Sequence, residues 1–128
     1  MKSILVVDDE PHVNRVMKLR LEEVGYRVEI ASNGEEALEK LREESFDAMI
    51  TDVLMPRMTG RELCQRIRKE LPDVDLLIFV ITSSSEIEHR DWVKEVPRAE
   101  LIEKPVSPKR LIAYLRRGLE GESGEQGA

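Results

Sequence analysis

The stretch Ile4-Leu5-Val6-Val7-Asp8-Asp9-Glu10 decides the fold. Its apolar run is unbroken rather than alternating, as in a strand covered on both faces, and it stops abruptly at acids. A strand of that kind belongs to a parallel sheet, which needs helices on either side. The following residues supply one: Val13, Val16, Met17, Leu21 and Val24 recur at helical spacing, and Gly25 ends it. The alternation then repeats. Arg27 to Ile30 reads as a second strand, and Asn33 caps a helix carrying Ala37, Leu38 and Leu41. Ala48 to Thr51 is a third strand, followed by a helix over Arg61 to Lys69 with Leu63, Cys64 and Ile67 on one side. Leu76 to Ile81 is the strongest strand, apolar throughout and rich in branched side chains. Leu101 and Ile102 mark a fifth. Leu111, Ile112, Leu115 and Leu119 line the inner face of a last helix.

The segment before the fifth strand is less regular. Glu86 to Glu95 has helical composition, but the spacing of Ile87, Trp92, Val93 and Val96 is uneven and Pro97 cuts it off, which predicts a short or distorted helix. Five βα repeats imply an α/β fold with a doubly wound, five-stranded parallel sheet, strand order 2-1-3-4-5. Ligands in such sheets bind beyond the carboxyl ends of the strands, where strands 1 and 3 diverge.

Bulk properties narrow the function. The chain has 128 residues, room for one domain and one core. Residues 1–119 read as that domain, and 120–128 as a flexible tail or the start of a linker, because four glycines and three glutamates crowd the last eleven residues. The net charge of −6 argues against direct nucleic-acid binding, and the late basic residues Lys109, Arg110, Arg116 and Arg117 read as a solvated helix face. The lone Cys64 cannot form an internal disulfide and reads as a buried structural thiol. No apolar run is long enough for a signal peptide or membrane span, so a cytoplasmic location is expected.

The strand ends carry the chemistry. Strand 1 ends in Asp8, Asp9 and Glu10, strand 3 in Asp52, strand 4 in Thr82 and strand 5 in Lys104. Strands 1 and 3 are neighbours in the expected order, so Asp8, Asp9 and Asp52 should converge. Crowded carboxylates repel one another unless a cation or a proton intervenes, and an all-oxygen set without His or Cys suits Mg²⁺. Beside such an ion Asp52 can act as a nucleophile on phosphorus, Lys104 can pair with one phosphoryl oxygen and Thr82 with another. Each residue also has a plainer reading. Acids after a strand often lie in a solvated loop or favour a helix N-terminus, Thr82 could cap the next helix, and Lys104-Pro105 could be only a turn. Their coincidence on one rim of one sheet is what argues for function.

These motifs resemble the receiver domains of two-component response regulators over about residues 2 to 118. The residues that carry the likeness are ILVVDDEP from Ile4, DAMITDVLMPRMTG from Asp47 with Pro56 and Gly60 at familiar offsets, IFVITS from Ile78, and IEKPVSP from Ile102. The resemblance implies a flavodoxin-like (βα)5 fold and a phosphoacceptor at Asp52. The donor would be the phosphohistidine of a sensor histidine kinase or phosphotransfer protein. It implies Mg²⁺ held by Asp9 directly, by Asp8 mainly through water, by Asp52 and by the Val53 carbonyl, with Thr82 and Lys104 on the phosphoryl group and a cis Lys104-Pro105 bond. An output partner or appended effector domain, and dimerisation on activation, are common in the family. No enzymatic activity is expected beyond the domain's own phosphotransfer and dephosphorylation.

The sequence departs from the family at Leu101, where Tyr or Phe often stands, and in the run VPRAELIEKP before the lysine, so an altered output face is expected. Leu54 and Ser84, two residues after Asp52 and Thr82, should border the path of a hydrolytic water. An apolar Leu54 cannot orient that water. Two competing readings remain. A receiver-like interaction module could work without phosphorylation. A haloacid-dehalogenase-type phosphatase needs an acid two residues after its nucleophile, and after Asp52 that place is Leu54.

Overall fold

Five strands, β1 (Ser3–Val7), β2 (Arg27–Ala31), β3 (Ala48–Asp52), β4 (Leu77–Thr82) and β5 (Ala99–Glu103), pair in parallel in the order β2-β1-β3-β4-β5. Helices α1 (Pro11–Glu23), α2 (Gly34–Glu43), α3 (Gly60–Glu70), α4 (Ile87–Lys94) and α5 (Pro108–Leu119) connect and follow them. The molecule is described by a computed structural model covering residues 1–83 and 87–119. Ser84 and the expected tail at 120–128 lie outside the described residues. The doubly wound (βα)5 arrangement is the one expected from the sequence.

Side chains alternate across each strand, and the alternation splits the core into two layers. Ile4 and Val6 of β1, Ala48 and Ile50 of β3, and Leu77, Phe79 and Ile81 of β4 pack with Leu21 of α1 and with Leu111 and Leu115 of α5. Leu5, Val7, Met49, Ile78 and Val80 face the other way and pack with Ala37, Leu38 and Leu41 of α2, Leu63, Cys64 and Ile67 of α3, and Trp92 and Val93 of α4. Both faces of β1, β3 and β4 are therefore covered, which is why their sequences read as continuous apolar runs.

The helix ends follow local chemistry. The Asn33 side chain accepts from the Glu36 amide at 2.8 Å, the cap expected from the sequence. Thr59 and Glu62 form a reciprocal capping box at the start of α3, a Thr-x-x-Glu signature legible in the sequence but not used above. Arg66 bonds Glu35 of α2 and Glu70 of its own helix, and Arg42 bonds Glu70, so exposed ion pairs fasten α2 to α3.

Of the residues that recur along α1, Val16 and Val24 stay 37 % and 38 % exposed, while the buried positions are Leu21 and the polar Asn14. Helical spacing alone places a stripe to within about a residue, and the contact with the sheet selects which flank is covered. Along α5, Leu111 and Leu115 are fully buried, whereas Ile112 and Leu119 pack only at the margin. The α4 reading holds: the helix spans eight residues, and Val96, part of the irregular stripe, is buried just beyond its end. Cys64 is buried, and desolvation pushes its thiol up to about 12.

Gly25 turns the chain from α1 into β2 with φ +99°, and a Cβ built there would meet no atom within 4 Å. Replacement by alanine should therefore cost about 1–2 kcal/mol through backbone conformation alone. A lowered urea midpoint with an unchanged m-value checks this; an unchanged midpoint contradicts it.

Candidate functional site

Asp8 and Asp52 stand side by side because of register. Val7 of β1 pairs with Thr51 of β3, so each aspartate follows its partner residue by one. Alternation puts Asp8 in line with Ile4 and Val6, and Asp52 in line with Ala48 and Ile50, on the face covered by α1 and α5. Lys104 follows β5 and keeps the parity of Ile102 on that same face. The three groups line the mouth of one cavity of about 310 Å³, whose floor is Val6, Ile50 and Ile81 and whose walls include Val13, Met17 and Val106.

Within that mouth the Lys104 ammonium donates to Asp52 Oδ2 at 2.8 Å, and the Leu54 amide donates to Asp52 Oδ1 at 3.2 Å. The Glu10 amide donates to Asp8 Oδ1 at 3.0 Å. Asp8 is only 9 % exposed, and its proton affinity is raised, first by burial and then by the charges of Asp52 and Asp9. Lys104 is raised as well, chiefly by its hydrogen bond to Asp52, with Asp8 and Glu10 adding to the effect. A peptide turn with a cis Lys104-Pro105 bond leads away from the lysine, as the resemblance implied.

The other expected residues are placed differently. Asp9 is exposed and does not line the cavity, although its charge reaches Asp8. The expectation that three aspartates converge is thus met by two. Asp9 belongs to the turn between β1 and α1, where strand alternation no longer directs side chains. Among the described residues, no three His, Cys, Asp or Glu side chains are grouped so as to hold an ion by themselves. Thr82 is buried at the end of β4 and shares the parity of Ile78 and Val80, on the face opposite Asp52. It is tied to the site through the main chain, its carbonyl accepting from the Lys104 amide at 2.7 Å. Val53 is buried, its amide donates to the Ile81 carbonyl, and its own carbonyl accepts from the Gly60 amide at 2.8 Å.

Three contributors escaped the sequence reading. Gly60 had been noticed for its offset only. A Cβ there would stand 2.3 Å from the Asp52 carbonyl oxygen and 3.0 Å from Val53 Cα, so only glycine lets α3 start this close to the end of β3. The Thr51 hydroxyl, fully buried, donates to the Asp52 carbonyl at 3.1 Å. Asn14 donates from α1 to the Asp8 carbonyl at 2.8 Å. A polar residue interrupting an apolar helix face was the available signal for the last.

The donors fit a hard divalent cation. They are oxygens only, they are short of compensating positive charge, and Asp8 is destabilised as an anion by its surroundings. Because the folded state raises the proton affinity of Asp8, it carries a penalty that appears as pH rises through that raised value and persists at neutrality. Asp8→Asn should therefore stabilise the metal-free protein at pH 7 by about 1 kcal/mol, a Tm gain of roughly 4 °C. The gain should shrink as pH falls into the carboxylate range. A Tm equal to or below that of wild type at pH 7 contradicts the electrostatic account.

Comparison with known proteins agrees with this geometry. The family model for the response regulator receiver domain matches residues 4–116. The probable transcriptional regulator ycf27 of Pyropia yezoensis is 41 % identical over 115 residues, which cover 90 % of this chain and 46 % of that protein. Response regulator MprA of Mycolicibacterium vanbaalenii is 34 % identical over 125 residues, covering 98 % and 53 %. The chain thus spans about half the length of the curated relatives it matches. Among solved structures, chemotaxis protein CheY4 of Vibrio cholerae superimposes with a TM-score of 0.86 at 34 % identity, covering 93 % of this chain and 99 % of that one. Response regulator TrrA of Thermotoga maritima, in complex with Mg²⁺-BeF, gives 0.80 at 34 % identity, covering 93 % and 100 %. With its parallel sheet in the order 2-1-3-4-5 and its acids and lysine gathered at the strand ends, the chain belongs to the response regulator receiver domain family of two-component signalling.

Proposed function

We propose that this receiver domain is a phosphorylation switch that takes a phosphoryl group on Asp52 from the phosphohistidine of a sensor histidine kinase or phosphotransfer protein, with Mg²⁺ bound. The observation that carries the reading is the juxtaposition of Asp52 with Lys104 at 2.8 Å and with the destabilised Asp8 carboxylate in one solvent-facing mouth. The Mg²⁺-BeF complex of TrrA supports the same chemistry for this chain.

In this mechanism an Asp52 carboxylate oxygen attacks phosphorus in line. The new O–P bond forms as the P–N bond to the donor imidazole breaks and its electron pair returns to the ring nitrogen, so that a ring protonated at its other nitrogen leaves as neutral imidazole. Lys104, already within hydrogen-bond distance, moves from the carboxylate to a phosphoryl oxygen and offsets its charge. Asp8, Asp9 and Asp52 would hold the ion, which when bound would supply positive charge to offset that of the transferring group. The Val53 carbonyl is not retained in this set, because the Gly60 amide already turns it toward α3. Leu54 is a better source of a main-chain oxygen: it is exposed, and its amide sits on Asp52 Oδ1.

Thr82 joins the site only by turning its side chain across the strand, and that requirement makes it a switch element. Its face is shared by Leu101, which pairs through β5 with Val80 and packs against the α4 layer. A turn of Thr82 therefore alters packing beneath a groove lined by Val93, Lys94, Ala99, Leu101 and Glu103, the surface offered to an output partner or attached effector. Leu101 lacks a hydrogen-bonding tip, so the relay works by packing alone. Catalysis is confined to the domain's own phosphoryl transfer and hydrolysis; Leu54 in the place of a leaving-group acid disfavours a phosphatase.

A second reading is an interaction module that acts unphosphorylated, favoured by Leu101 and by the short α4. Partner binding that is equal for wild type and Asp52→Ala would support it over the first.

Supplying Mg²⁺ and a small phosphodonor should add one phosphoryl group to the wild type by intact mass and none to Asp52→Asn. No mass gain in wild type, or a gain independent of Mg²⁺, overturns the proposal. The acyl phosphate should also be long-lived, because the exposed Leu54 offers no group to orient the attacking water. Leu54→Asn should shorten its half-life several-fold, and a wild-type half-life of seconds at neutral pH contradicts this.

A further inference from the structure

Asn14 occupies a place in α1 where neighbouring inner positions, Met17 and Leu21, are apolar, yet it is only 2 % exposed. Its Nδ2 donates to the main-chain carbonyl of Asp8 at 2.8 Å, and its Oδ1 has no hydrogen-bond partner among the described residues. A buried amide that uses its donor and leaves its acceptor unpaired is a poor device for stability, since an apolar side chain of the same branched shape would carry no such penalty. Whatever retains it acts through the one bond it makes.

That bond falls on the residue from which the acidic turn begins. The Asp8 amide donates to the Ala31 carbonyl at 3.2 Å, and the Asp8 carboxylate accepts from the Glu10 amide. Asn14 completes the set by holding the Asp8 carbonyl, which fixes the plane of the Asp8–Asp9 peptide and the direction in which Asp9 leaves it. Glu10, at the N-cap of α1, makes no side-chain cap bond, and Asp9 has left the register of β1, so the turn is held through Asp8. Asn14 is in turn tied to the same turn, its amide donating to the Glu10 carbonyl at 3.2 Å.

We propose that Asn14 is a positioning residue for the cation site, holding the Asp8–Asp9 turn so that both carboxylates are presented together. This rests on the reading of the site as one that binds a divalent ion. It acts through the main chain of Asp8 and touches neither ion nor phosphoryl group.

The test is calorimetric titration of Mg²⁺ into the full 128-residue chain. Asn14→Leu should weaken Mg²⁺ affinity about tenfold or more, the usual scale for losing a group that orients a metal ligand. Asn14→Ala, which makes no steric demand, should do the same if leucine is not accommodated, and Asn14→Gln, which keeps an amide donor, should recover part of the loss. Phosphorylation of the leucine and alanine variants by a small phosphodonor should be slow at low Mg²⁺ and return toward wild type at saturating Mg²⁺. Mg²⁺ affinity within about twofold of wild type in both variants, or a phosphorylation defect unchanged by Mg²⁺, overturns the proposal. A wild-type chain that binds no Mg²⁺ is a separate result, and it overturns the reading of the site itself.

Discussion

Two carboxylates on one face at the ends of two adjacent parallel strands repel each other, and the site is organised around that repulsion. Pairing of Val7 with Thr51 brings Asp8 and Asp52 together, and burial of Asp8 removes much of the water that would screen them. Lys104 offsets part of the charge by pairing with Asp52, which leaves Asp8 the more strained of the two. The pair is held in place by neutral means: the Glu10 and Leu54 amides, the Thr51 hydroxyl and the Asn14 amide all bond to one aspartate or the other. The surrounding sheet prevents this unbalanced charge from relaxing apart.

The same alternation that gathers Asp8, Asp52 and Lys104 divides the domain into two communicating layers. The acids and the lysine open toward α1 and α5, while Thr82 and Leu101 belong to the layer of α2, α3 and α4. Thr82 is nonetheless one main-chain hydrogen bond from Lys104, at the point where the two layers meet. Chemistry on one face and packing on the other are therefore joined through the strand ends rather than through the core. Gly60 extends the link to α3, whose first turn can approach Asp52 only because it lacks a side chain there.

Much of this was legible in the chain. Continuous apolar runs ending in polar residues identified the strands, and the acids, the hydroxyl and the amine at their ends identified the rim. Asp52, Asp8 and Lys104 were found because strand ends are marked sharply by the change from apolar to charged. What was not legible lay where that change is absent. Asp9 was grouped with the others because adjacency in sequence does not say where a strand stops and a turn begins. The exposure of Val16 and Val24 and the burial of Asn14 were not legible, because helical period fixes a stripe only up to a small rotation about the helix axis.

The sequence alone determined the order of elements, the parallel sheet and the polar groups at the strand ends, since periodicity and residue chemistry are properties of the chain itself. The tertiary structure decided which of those groups meet. Register between β1 and β3, the parity of each side chain at its strand's end and the rotation of α1 against the sheet depend on contacts between distant segments. Those contacts turned the Val53 carbonyl toward α3, put Thr82 across the sheet from Asp52, and made a buried asparagine the support of an acidic turn.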